Sequence, residues 1–185
     1  MVSEYQSLRQ ELLQLAGSIS RWQMVGFVAA GVALAAGIAM PFGFGVAAGA
    51  LLLTAGCICG IIHDLRSILR IAAYIQAVHE GRDTGAMWET RQEMIAGADI
   101  TNPLKPGMTP ILSLLWAGLV GAIGPYVSVF WLADSLPEIT LILSLMPLLA
   151  WLVFWANVRQ SYTQIYSGEF KQKTMQAFYE SLRRP

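Results

Sequence analysis

The sequence predicts an all-α, polytopic integral membrane protein: four transmembrane helices in two hairpins, with cytoplasmic amphipathic helices around them. Three observations carry this expectation. Hydrophobic residues make up 55% of the 185 and charged residues only 13%, about half the roughly 25% usual in a soluble domain. The 41 residues from Trp22 to Ile62 hold no charge at all, twice the roughly 20 that one membrane span needs. Four apolar stretches, at 22–40, 46–62, 110–132 and 139–156, can be threaded so that all twelve Lys and Arg residues fall on one side. Loops retained in the cytoplasm carry the excess of Lys and Arg, so both termini are expected inside, at a bacterial inner membrane.

Residues 1–21 read as a cytoplasmic amphipathic helix entered at Ser3, with Gln6 as a capping partner. Tyr5, Leu8, Leu12 and Leu15 recur at helical spacing, and Leu13 lies beside the stripe. Arg9 and Arg21 are balanced there by Glu4 and Glu11. The segment is therefore not the positive leader of a cleaved signal peptide, and the first span is expected to stay.

Residues 22–62 form the first hairpin. Pro41, Gly43 and Gly45 supply its turn, because Pro cannot continue a helix and Gly permits unusual dihedrals. The second span is expected to continue as helix through His63 to Glu80, within a cytoplasmic region of 63–109. Leu65, Ile68, Leu69, Ala72 and Ile75 make one apolar stripe there, and Ile71, Tyr74 and Val78 make another. Arg66, Arg70, Ala73, Ala77 and Glu80 fall on the remaining face. A surface helix needs one stripe, so two imply burial between partners. A short helix over 87–95 and a linker over 97–110 follow, broken by Asn102-Pro103 and Pro106-Gly107.

Residues 110–156 form the second hairpin, opened by Thr109 as N-cap and Pro110 at the first helical position. Pro125 and Pro147 interrupt its spans, which a bundle tolerates because neighbours satisfy the freed backbone. Trp22, Trp131 and Trp155 sit where an interfacial aromatic belt would place them. Residues 157–185 carry two out-of-phase apolar stripes, one with Tyr162, Ile165 and Tyr166, the other with Met175, Phe178, Tyr179 and Leu182. They read as two cytoplasmic amphipathic helices, with basic residues able to meet anionic headgroups.

Charge and composition exclude several functions. The formal net charge is zero, so no global field favours nucleic acid. None of the four spans holds an Asp, Glu, Lys, Arg or central His, the groups that proton relays, ion-coupled carriers and voltage sensors place in the membrane. Cys59, His63 and Asp64 give too few ligands for a metal. Cys57 and Cys59 point about 200° apart on a helix and read as small packing residues. No catalytic set, phosphate loop or cofactor motif is present, so the chain is not expected to be an enzyme or to hold a cofactor or metal.

Two sets of residues carry interaction chemistry. Gly45, Gly49, Gly56 and Gly60 stand at small-xxx-small spacing in or at the second span, which lets helix backbones approach closely. They would pack within the first hairpin or hold a homo-oligomer together. Gly118, Gly121 and Gly124 could line a pore in such an oligomer. Tyr74, Trp88, Glu89 and Arg91 belong to the densest group of specific-looking side chains. A Trp beside charges is a common docking anchor, although it could equally pin a helix to the bilayer. The expected function is a non-catalytic assembly, scaffold or regulatory subunit that docks a cytoplasmic or membrane protein partner. An oligomeric pore or membrane-perturbing effector is the alternative. The layout of each half resembles small prokaryotic membrane effectors and accessory subunits of secretion or conjugation machinery, in architecture only.

Overall fold

The computed structural model describes residues 2–39, 44–75, 108–131, 138–166 and 172–176. Every described residue is helical. The main elements are α1 (Val2–Ala39), α2 (Phe44–Tyr74), α3 (Met108–Trp131) and α4 (Glu138–Tyr166). Three segments are long and apolar enough to cross a membrane: Tyr5–Ile38, Gly45–Tyr74 and Pro110–Val127, among the described residues. The chain is therefore all-helical with the character of an integral membrane protein.

The α1 helix runs unbroken through Arg21 and Trp22. α1 is one helix of 38 residues, about 57 Å long at 1.5 Å per residue. Residues 18–25 contain neither Pro nor Gly, and a helix whose internal hydrogen bonds are complete has no reason to unwind where its surroundings change. α2 likewise continues past His63 to Tyr74, giving 31 residues, about 46 Å. Both exceed the roughly 30 Å hydrocarbon thickness of a bilayer.

The chain divides into two compact units. One comprises Met1–Ser18, Ile62–Thr109 and Ser161–Pro185. In it, Tyr5, Leu8, Leu12 and Leu15 are half-buried on one side of α1, whereas Leu13 is 71% exposed. The α2 segment is covered on nearly every side: only His63 and Arg70 are exposed between residues 62 and 75. Ala73, expected on the more polar face, is fully buried. A stripe count on one helix cannot register how many neighbours will surround it.

The other unit comprises Ile19–Ile61 and Pro110–Gln160. Its contacts fix the directions of its helices. On α1, Trp22 meets Gly60 and Gly26 meets Cys57, so α1 and α2 run antiparallel. Gln23 Nε2 donates to Ser113 Oγ at 3.3 Å, Gly26 faces Leu114, and Gly37 faces Gly124 and Pro125. α1 and α3 are therefore parallel. Trp116 meets Trp155 and, further along α3, Gly118 meets Trp151, so α3 and α4 are antiparallel.

Small residues form the centre of this unit, with Ala29, Ala30, Ala33, Ala36, Ala47 and Ala122 all buried. Between helices in lipid, association rests on close packing rather than on water release, and alanine keeps backbones near one another. The outside is apolar and large: Met24 is 72% exposed, Val28 63%, Leu52 73% and Val153 63%. Such a surface is unfavourable in water and suited to hydrocarbon. α3 passes through Pro125 and α4 through Pro147 without ending.

Candidate functional site

Buried polar contacts join the helices of the apolar unit. Thr54 is fully buried, and its Oγ1 donates to the Ala50 carbonyl at 2.9 Å and, at 3.4 Å, toward the Gly26 carbonyl of α1. The second contact requires a glycine-lined approach: a Cβ on Gly26 would lie 2.8 Å from Leu114 Cδ2 and 3.3 Å from Cys57 Cβ. Trp151, 3% exposed, donates from Nε1 to the Leu115 carbonyl at 3.0 Å, and its ring covers Gly118. Trp116 and Trp155 meet edge to face at 5.3 Å and 75°.

The glycines of α2 separate into two kinds. Gly60 packs on the Trp22 ring, 3.0 Å from its nearest atom to a Cβ position. Gly45, Gly49 and Gly56 are exposed and have nothing within 4 Å of where a Cβ would stand. With Leu52, Cys59 and His63, all exposed, they make one outward stripe, since positions 4, 7, 11, 14 and 18 after Gly45 return to one helix face. Packing inside the first two helices thus accounts for Gly60 alone of the four.

The α3 glycines turn inward. Gly121 lies 3.0 Å from the Ala30 carbonyl oxygen, and Gly124 lies 3.0 Å from the Leu34 carbonyl oxygen, each measured to a Cβ position. Gly118, Gly121 and Gly124 are buried contact points for α1 and α4, so within one chain they line no opening.

Of the expected docking residues, Tyr74 is half-buried near the end of α2. Trp88, Glu89 and Arg91 lie outside the described residues, as do the short helix over 87–95 and the linker. Cys57 is buried and Cys59 exposed, both as free thiols, so only Cys57 is a packing residue. Asp64 is 8% exposed and its Oδ2 has no hydrogen-bond partner, while neighbouring His63 is exposed. Successive helix residues point 100° apart, which separates this pair. Among the described residues, no three His, Cys, Asp or Glu side chains converge.

Sequence reasoning missed the Thr54–Gly26 and Gln23–Ser113 contacts and the wall built on Trp151. Each depends on which helices become neighbours, and no local pattern encodes that. Comparison with protein families, with characterised proteins and with solved structures finds no match to this chain.

Proposed function

We propose that this protein is a non-catalytic assembly, scaffold or regulatory subunit of a bacterial inner membrane, for example an accessory component of a secretion, conjugation or defence system. In this reading four spans form two hairpins, both termini and the 63–109 region are cytoplasmic, and cytoplasmic amphipathic helices dock a protein partner. One observation carries it. Ten of the twelve basic residues fall in the unit made of the N-terminal, middle and C-terminal segments, and the other two, Arg21 and Arg159, lie two and one residues inside the ends of the apolar unit. The basic residues able to recognise a partner are thus concentrated in the segments that the positive-inside rule assigns to the cytoplasm.

Trp88→Ala is expected to weaken co-purification of the partner from solubilised membranes, with insertion and yield unchanged. Unaltered capture removes Trp88, and with it the Glu89 and Arg91 neighbourhood, from the docking site. Orientation is tested separately. Ser135→Cys should react with an impermeant maleimide from the periplasmic side, and Ser161→Cys should react only after the membrane is opened. The reverse pattern overturns the topology.

The same reading includes a homo-oligomer held through the open Gly45–Gly49–Gly56 face. Cys59 lies on that face, so oxidation in native membranes should give a disulfide-linked dimer that Cys59→Ser abolishes and Cys57→Ser does not. Absence of the dimer would leave this face to lipid.

A further inference from the structure

We draw no further inference here: the strongest candidate, the apolar hollow between α2 and α4 lined by Ala48, Leu52, Ala55, Met146 and Ala150, carries nothing, because nothing in the structure shows what covers it.

Discussion

Gly37→Ala should lower the thermal stability of the detergent-solubilised protein, whereas Gly31→Ala, on the same helix, should leave it unchanged or raise it. The two positions differ in what a methyl group would meet. At Gly31 nothing stands within 4 Å. The substitution there gains helix propensity of about 0.8–1 kcal/mol relative to glycine. At Gly37 the new Cβ would lie 2.6 Å from both Cδ and N of Pro125 and 2.8 Å from the Gly124 carbonyl carbon. Two of those atoms are α3 backbone, and the third belongs to a closed ring. None can swing aside as the end of a flexible side chain would. α1 has to withdraw from α3, and the contacts at Gly121 and Gly124 loosen with it. Overpacking of this kind costs about 1–3 kcal/mol, which exceeds the propensity gain. Unfolding curves that place Gly37→Ala level with Gly31→Ala would show that this approach of α1 to α3 is wrong.

The helical class and the membrane character were legible because both follow from totals and from uncharged length. A 41-residue run without charge has few other outcomes. What a single sequence does not carry is which face of each helix meets which neighbour. Gly45, Gly49 and Gly56 have the spacing of an interface and stand exposed, while Gly26, which no motif singled out, brings α1 against α2 and α3. In water a core face is apolar and an outer face polar, so periodicity separates them. In lipid both faces are apolar, and a small residue suits either a close contact or an open groove. The same loss of contrast hid an apolar hollow between α2 and α4. Its alanines at 48, 55 and 150 are ordinary span residues until α2 and α4 are side by side. On the covered segment of α2 the error had a different cause. Ala73 is polar-face by its neighbours Arg66 and Arg70, but alanine accepts either environment, and packing buried it.

Trp151→Ala should be among the most destabilising single substitutions in the apolar unit, and it should abolish the cost of Gly118→Ala. Trp151 is 3% exposed, so truncation empties a large buried volume and removes the bond to the Leu115 carbonyl. In aqueous cores Phe or Trp to Ala costs about 3–5 kcal/mol. Part of that figure is transfer from water, which is absent between helices in lipid. Lost packing and the lost hydrogen bond remain, and we expect about 2 kcal/mol. Gly118→Ala alone drives a Cβ into the Trp151 ring. The ring cannot retreat without breaking its bond to Leu115, so α3 and α4 must separate. Once Trp151 is alanine, the same Cβ enters the vacated space. Gly118→Ala then gains helix propensity of about 1 kcal/mol with no opposing clash. Stabilities of the four proteins in one detergent should therefore be non-additive, with a coupling of about 0.5–3 kcal/mol, as for residues in direct contact. Additive effects would mean that Gly118 and Trp151 do not touch.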